Sequence, residues 1–175
     1  MWKLASAVAL AFLLVAPARS ENPNWQVCFT PGGECTDVIV REIGGAKRTL
    51  LVQAYSFTSA PIAKALVDAN KRGVDVRVIL DKSQRTERYS AADFLANSGI
   101  PTWIDSCCAI AHNKVMIIDG ETVITGSFNF TKAAQARNAE NVLVIRSRDL
   151  AARYAENWQK HLGTSERYQG RAARN

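Results

Sequence analysis

The chain has 175 residues, of which 47% are hydrophobic and 22% are charged. These values fit one folded domain that buries a core, and they exclude a disordered chain. Lys and Arg number 22 against 16 Asp and Glu, which gives a formal net charge of +6. This mild excess suits a partner that carries phosphate groups, but basic charge alone does not identify one.

The first twenty residues have the pattern of an export signal. Lys3 provides a positively charged start, residues 4–16 form a nearly continuous apolar run, and Ala16-Pro17-Ala18 fits a small-residue cleavage site, with a second fit two residues later. The run is shorter than the roughly 20 apolar residues that a membrane-spanning helix needs. We therefore predict a signal peptide over residues 1–20, a mature domain over residues 21–175 with no stable membrane anchor, and a periplasmic or secreted location.

The first half of the mature chain alternates strand and helix patterns. One helix begins at Ser59 with Pro61 in its first turn, and Gly73 ends its apolar periodicity. A strand, a helix and a strand at this spacing form a βαβ unit, which contains a parallel strand pair. The predicted strands are Trp25–Phe29, Thr49–Ala54 and Val74–Leu80, and the first predicted helix is Thr36–Ile43.

The second half continues the mixture of strands and helices. The polar segment Asp81–Tyr89 lacks apolar periodicity and is predicted to be a mobile surface loop. Together the elements predict an α/β fold, a single domain whose mixed β-sheet is flanked by helices on both faces. The remaining predicted helices are Ser90–Asn97 and Leu150–Leu162, and the remaining strands are Trp103–Asp105, Ala111–Asp119, Thr122–Thr125 and Glu140–Arg146.

Four cysteines in an exported chain indicate an oxidising compartment and allow three pairings if all of them pair. Cys28 and Cys35 flank a Pro-Gly-Gly turn that could bring them together. Cys107 and Cys108 are neighbours, and adjacent Cα atoms about 3.8 Å apart are closer than ordinary disulfide geometry accepts. We expect these two to be free or to reach elsewhere. Because no Cys-x-x-Cys or His-rich spacing is present, we expect no metal site.

A histidine and a lysine stand two residues apart at the start of the apolar segment Ala111–Asp119. Period-two geometry would place His112 and Lys114 on the same face of a strand. An imidazole beside an ammonium group is unfavourable unless an anion or an acid compensates them, and a phosphate group would compensate both. Asp119 lies at the strand end, an odd number of residues from His112, so we expect it to hold the turn or to bind a backbone amide.

A second polar pair follows in Gly126-Ser127-Phe128-Asn129-Phe130. Ser127 and Asn129 are again two residues apart, and a hydroxyl and an amide are neutral donors suited to phosphate oxygens. Gly126 permits a close approach of the backbone.

These two segments together resemble the signature of the phospholipase D superfamily. The spacing His112-x-Lys114 with Asp119 downstream, followed by Gly126-Ser127-x-Asn129, is the pattern that carries the resemblance. Within the superfamily the chain is most similar to small exported bacterial endonucleases of the Nuc type. The similarity runs across nearly the whole mature chain.

The resemblance implies a mechanism without metal or cofactor. In this family the histidine, here His112, attacks phosphorus and forms a phosphohistidine, while Lys114, Ser127 and Asn129 hold the phosphate. A downstream acid orients the histidine through its other ring nitrogen, and Glu140 occupies the matching place.

The resemblance also implies a homodimer. Larger members carry two copies of the motif in one chain, whereas this chain has one copy and only two histidines. His161, near the end of the last predicted helix, is interpreted as a solvated or helix-capping residue. The second catalytic histidine is therefore expected from another subunit, with both copies of His112 at one shared site.

The phosphodiester motif does not distinguish nucleic acid from phospholipid as the substrate. Small size, a single motif, an export signal and positive charge favour a sequence-nonspecific endonuclease acting on DNA, or on RNA. The alternative enzyme is a phospholipase D that hydrolyses a lipid headgroup, and a third reading is a nucleic-acid-binding module without catalysis. Lys82, Arg85 and Arg88 are candidate phosphate contacts, although a solvated charge run explains each of them equally well.

Overall fold

The computed structural model describes residues 24–171, which form an eight-stranded mixed sheet in the order β1-β7-β6-β5-β2-β3-β4-β8. Helices cover both faces of this sheet, as the sequence predicts. The strands are β1 (Trp25–Thr30), β2 (Thr49–Ala54), β3 (Asp75–Asp81), β4 (Thr102–Asp105), β5 (Lys114–Ile118), β6 (Thr122–Gly126), β7 (Glu140–Arg146) and β8 (Ser165–Tyr168). The helices are α1 (Cys35–Gly45), α2 (Ala60–Lys71), α3 (Ala92–Asn97), α4 (Lys132–Ala136) and α5 (Arg148–Leu162).

The predicted βαβ unit is present, since β2 and β3 pair in parallel and α2 connects them. Strand β4 adds a second parallel pair beside β3, and the other neighbouring strands are antiparallel. In this topology the last residues of β2 and β6 and the first residues of β5 and β7 lie side by side at the same end of the sheet. Polar residues at these four positions therefore lie close together in space.

The two faces of the sheet differ in how they are covered. Helices α1 to α4 pack on one face over the larger core, in which Ile39, Leu66 and Leu95 are fully buried. Among the described helices, α5 is the one that covers the other face, where Trp158 is 1% exposed and donates from Nε1 to the backbone oxygen of Val52 over 2.9 Å. Burial on both sides accounts for the nearly continuous apolar character of β5.

The segment Asp81–Tyr89, predicted to be a mobile surface loop, is exposed at most of its residues but contains a short helix. Residues 82–85 form a short 3-10 helix, and the Asp81 carboxylate caps it by accepting from the Ser83 N–H. Gln84 is buried and its side-chain oxygen accepts from the Phe57 N–H over 3.1 Å. One buried hydrogen bond between a polar side chain and the backbone holds this segment in place. Such a contact leaves no apolar periodicity in the sequence.

Two elements, α4 and β8, do not appear in the prediction. Helix α4 has only five residues, and the Thr131 side chain accepts from the Ala134 N–H at its start. Strand β8 is polar and lies at the edge of the sheet, where it pairs only with β4. Neither element buries an alternating or helical set of apolar side chains, so neither leaves a periodic signal.

The pairing of the cysteines is decided by the structure. Cys28 and Cys35 form a disulfide with their Cα atoms 5.6 Å apart. Cys107 and Cys108 are free and exposed.

The predicted signal peptide lies outside the described residues. Within residues 24–171, no helix combines the length and the apolar composition that crossing a membrane requires.

Candidate active site

His112 lies just before β5 and not within a strand, which corrects the prediction that Ala111–Asp119 is one continuous strand. Its backbone is held on both sides. The Ala111 N–H donates to the Asp81 carboxylate over 2.7 Å, and the Asn113 carbonyl accepts from the Tyr55 N–H over 2.8 Å. The bond to Asn113 continues the pairing of β2 with β5 by one residue, whereas the Asp81 side chain takes the N–H of Ala111. The exposed imidazole lies between these two anchors, at the end of the sheet.

Lys114 is the first residue of β5 and is only 6% exposed. Its ammonium group donates to the His112 backbone oxygen over 2.8 Å and lies 5.2 Å from the centre of the Tyr55 ring. The His112 ring is packed on the same tyrosine, with ring centres 4.6 Å apart. The structure thus brings His112 and Lys114 together around Tyr55, although the histidine is not part of the strand.

Burial shifts the titration of Lys114. Desolvation lowers the pKa of its ammonium group below the ordinary value of 10.5, and the negative charge of Glu140 partly opposes this shift. A buried ammonium group with little hydration interacts strongly with an anionic ligand, because the local dielectric constant is low. Lys114 is therefore suited to neutralising a phosphate oxygen.

Ser127 and Glu140 form a second part of the site. The Ser127 hydroxyl donates to one Glu140 oxygen over 2.5 Å and accepts from the Asn141 N–H over 3.1 Å. The other Glu140 oxygen accepts from the Asn138 side chain over 2.9 Å. The carboxylate therefore holds the serine side chain in one position.

The predicted contact between Glu140 and the ring of His112 does not occur within one chain. In residues 24–171, no hydrogen bond joins Glu140 to that imidazole. Both carboxylate oxygens instead bind groups from the adjacent loops, because Glu140 is the first residue of β7 and faces the turn that carries Ser127. Glu140 is close enough to Lys114 to affect its pKa, so it remains part of the same electrostatic environment.

Gly126 and Asn129 complete the set of predicted site residues. Gly126 has φ of +142°, and a Cβ atom there would lie 2.2 Å from the Asn141 carbonyl oxygen. Only glycine permits this close approach, which starts the turn leading to Ser127 and Asn129. The side-chain oxygen of Asn129 is buried and has no hydrogen-bond partner among the described residues. An acceptor is costly to leave unpaired in a buried position, so this oxygen is available to a hydrogen-bond donor of a bound ligand.

A protein-family comparison agrees with this arrangement. Residues 39–162 match the family described as "Cardiolipin synthase, PLD-like domain". The chain belongs to the phospholipase D superfamily. It therefore shares its fold with a superfamily of enzymes that act on phosphoric esters.

Relatives of the chain include proteins named for lipid substrates. It is 48% identical to a phospholipase D of Rickettsia felis over 75% of this chain, and it spans 66% of that protein's length. It is 30% identical to the mitochondrial cardiolipin hydrolase of Mus musculus over 85% of this chain and 67% of that protein.

Similar solved structures include two proteins named Nuc and NucT. Nuc from Salmonella typhimurium, described as a phospholipase D family member, superposes with a TM-score of 0.82 and 44% identity over 85% of this chain and 100% of that chain. NucT from Helicobacter pylori superposes with a TM-score of 0.74 over 82% of this chain and 99% of that chain. NucT is 22% identical to this chain and supports the fold alone.

The aspartate of the phospholipase D motif, Asp119, lies away from the site. Its carboxylate accepts from the N–H groups of Lys47, Arg48 and Thr49 at 2.9, 2.7 and 3.0 Å. Asp119 itself has φ of +56°, which places it in the tight turn between β5 and β6. It joins this turn to the start of β2, as expected for a residue that binds backbone amides.

We expect Asp119→Asn to lower the free energy of unfolding at pH 7 by about 1–2 kcal/mol, because the three amides lose a charged acceptor. Partial burial alone would raise the pKa of Asp119, but the amides of Thr49, Arg48 and Lys47 and the charge of Arg48 outweigh it and lower the pKa below 3.8. The contribution of the carboxylate is therefore present above pH 3.8 and is lost as the pH falls through the lowered pKa. Urea unfolding at pH 7 and at a series of pH values that descends from 3.8 measures this. A difference between wild type and variant that does not shrink along the series would contradict the assignment.

Two supporting residues, Tyr55 and Asp81, are not among the site residues predicted from the sequence. Tyr55 contacts both His112 and Lys114, and Asp81 is 3% exposed and anchors the backbone next to His112. Tyr55 directly follows β2, and Asp81 is the last residue of β3, the strand that pairs with β2 in parallel. The carboxyl ends of parallel strands are where α/β proteins place their sites, and that position was the available signal.

The predicted phosphate contacts in the polar segment have partners within the chain. Arg85 forms an ion pair with Glu166 at 2.7 Å, and Lys82 donates to the Cys108 backbone oxygen over 2.9 Å. Arg88 lies over the ring of Tyr89. These contacts favour the structural explanation for the charge run over direct binding of phosphate.

Proposed function

We propose that the chain is a metal-independent phosphodiesterase in which His112 attacks phosphorus, and that its substrate is nucleic acid. The observation that carries the proposal is the placement of an exposed imidazole beside a buried ammonium group, both on Tyr55. The Ser127 hydroxyl donates its one proton to Glu140, so the amide N–H group of Asn129, in the turn after β6, is the neutral donor that we assign to the phosphate. Together these residues match what phosphodiester hydrolysis requires, namely a nucleophile and stabilisation of negative charge.

The reaction proceeds in two displacements. A ring nitrogen of neutral His112 forms a bond to phosphorus while the bond to the leaving oxygen breaks, and a second group protonates that oxygen. Water then attacks the phosphohistidine, loses its proton to that same second group, and releases the product with restored His112. Lys114 compensates the negative charge on the phosphoryl oxygens in both steps.

The second group is His112 of another copy. Within residues 24–171 the one other histidine, His161, is hydrogen-bonded to Asp105, near the end of α5. We therefore propose a two-fold homodimer in which both copies of His112 face one phosphate.

An apolar stripe on β1 supports this dimer. Trp25, Val27 and Phe29 alternate along the edge strand and are 52%, 38% and 63% exposed. Phe29 is paired with Asn141, whose backbone and side chain donate to the hydroxyl of Ser127. The stripe thus ends beside the site, and a second copy that covers it would lie next to the catalytic residues.

We expect Phe29→Glu to convert the dimer to a monomer and to lower specific activity at least about 100-fold, because a general acid contributes about that much or more. Light scattering with size exclusion measures the mass, and cleavage is assayed on the same samples. Phe94→Glu is the matched control, since Phe94 is 49% exposed on α3. A wild-type protein that is monomeric and fully active would contradict the shared site.

Nucleic acid is the better-supported substrate of two. Nuc is 44% identical and matches over its whole length, and the basic charge of this chain suits a polyanion. The second candidate is a phospholipid, which the names of the Rickettsia and mouse relatives favour. The site itself contacts only the phosphodiester in either case.

One assay separates these substrates. The purified mature protein is incubated in chelator with supercoiled plasmid DNA and, separately, with phosphatidylcholine vesicles, alongside His112→Asn. We expect the wild type to nick and linearise the plasmid and the variant to leave it intact. Release of the lipid headgroup without DNA cleavage would establish the phospholipase, and a gel shift without either product would establish a binding module.

A further inference from the structure

A second cluster of reactive side chains lies at the end of β4, outside the proposed phosphodiesterase site. The Nδ1 atom of His161 is 2.6 Å from the Asp105 carboxylate and 3.9 Å from the Cys107 sulfur. One candidate ligand atom from each residue lies within 4.8 Å of the other two. The chain brings together a carboxylate, a thiol and an imidazole from positions up to 56 residues apart.

The anchoring of these side chains makes the cluster a built site. The Asp105 side chain has no exposed area, and one of its oxygens accepts from the Cys107 N–H over 3.0 Å, which leaves the other oxygen facing His161. His161 is on α5, near its end, and its side chain is 20% exposed. Asp105 is therefore held in position at the end of β4, and His161 is held by α5. Cys107, on the loop that follows β4, is the third member of the cluster.

The distances suit a small thiophilic cation. Zinc binds sulfur at about 2.3 Å and nitrogen or carboxylate oxygen at about 2.0–2.2 Å, so its tetrahedral ligands lie about 3.3–3.8 Å from one another. The separation between Cys107 and His161 is already near this range, and the hydrogen bond between His161 and Asp105 opens when the ion takes its place. An imidazole, a thiolate and a carboxylate are all ligands that zinc accepts.

We propose that Asp105, Cys107 and His161 form a binding site for a thiophilic divalent cation, with zinc as the ion of choice. Cys107 and its neighbours on the loop are exposed, so an ion can reach the site from solvent. This site is not predicted by the sequence, which led to an expectation of no metal. It does not depend on the proposed function, since none of the three residues belongs to the His112 site.

The position of the site gives it a structural consequence. Cys107 lies on the loop that leads to His112, and the same loop is held by Lys82 at Cys108 and by Asp81 at Ala111. A bound ion adds a third anchor to this loop, from the side of α5. We therefore expect the ion to stabilise the folded chain without taking part in hydrolysis.

Cobalt provides a direct test, because thiolate ligation of Co²⁺ produces a near-ultraviolet charge-transfer band that can be read without any enzyme assay. The full mature protein, gently reduced so that Cys107 is a free thiol, is titrated with Co²⁺ and then with Zn²⁺. We expect a band that saturates at one ion per chain and disappears when Zn²⁺ displaces the cobalt. At a hundredfold excess of Zn²⁺ over its Kd, the melting temperature should rise by about 5 °C or more.

Matched variants identify the ligands. Cys107→Ser and His161→Gln should each weaken Co²⁺ binding at least about tenfold, the scale on which site groups affect metal affinity. Cys108→Ser and His112→Asn should retain the band, because neither residue is among the three ligands. Far-ultraviolet circular dichroism of every variant checks that the fold is intact.

The proposal is overturned by the absence of a saturable band in the reduced wild type, or by a band that persists in a folded Cys107→Ser variant. Equal loss in Cys108→Ser would overturn the three-ligand assignment. DNA cleavage in chelator tests the proposed function separately, so failure of one proposal leaves the other intact.

Discussion

Replacing His112 by asparagine is expected to lower the rate of phosphodiester hydrolysis at least about 1,000-fold, because the nucleophile that forms the covalent intermediate is removed. The side chain is exposed, and the backbone of the flanking residues Ala111 and Asn113 is held by bonds to Asp81 and Tyr55 that do not involve the imidazole. The melting temperature should therefore stay close to that of the wild type. Initial rates of plasmid cleavage, measured beside thermal melting, separate loss of chemistry from loss of fold.

The covalent intermediate offers a second measurement of the same prediction. A wild-type reaction stopped rapidly under alkaline conditions should contain one acid-labile phosphoryl group per active site, and the His112→Asn protein should contain none. A variant that retains more than about a tenth of wild-type activity would contradict the assignment of His112 as nucleophile, since triad-type knockouts leave far less.

Lys114→Met is the second change with a large expected effect, and it should act in opposite directions on activity and stability. We expect activity to fall about 100- to 1,000-fold, the effect of removing one preorganised stabiliser of developing charge. We expect the melting temperature to rise, because methionine has a similar length and no charge to desolvate in a position that is 6% exposed. Thermal melting and initial-rate kinetics on one preparation measure both.

The pH dependence follows from the lowered pKa of Lys114. Desolvation, partly opposed by Glu140, lowers this pKa below 10.5, so the cation is lost at a lower pH than that of an ordinary lysine. Activity should therefore decline on the alkaline side before a surface lysine titrates. The unfolded chain binds more protons than the folded chain between the lowered pKa and 10.5, so Lys114 makes stability rise with pH only in that interval.

Lys64→Met provides the control for this substitution. Lys64 lies on α2 with its side chain 73% exposed and paired with Asp68. Such surface pairs contribute little to stability, and the residue is remote from the motif. An equal loss of activity in both variants, or a lower melting temperature for Lys114→Met, would refute the desolvated-cation assignment.

Much of the fold and the motif is readable from local sequence patterns. The apolar runs of β2 and β3 and the helical spacing that ends at Gly73 indicate burial on one or two faces, so these elements are predicted close to their observed bounds. The motif residues are also readable, because turns and strand ends place them at fixed positions along the chain. The same reasoning misplaced His112 in a strand, since a side-chain bond to Asp81 replaces the ladder there.

The sequence by itself therefore determined the α/β class, the phospholipase D motif and the residues that belong to it. Only the tertiary structure decided which of these residues touch, and it placed Glu140 on Ser127, Tyr55 between His112 and Lys114, and Asp105 beside His161. The physical reason is that periodicity depends on near neighbours along the chain. Contacts between residues far apart in sequence depend on how the strands are ordered and on which side of the sheet each helix packs.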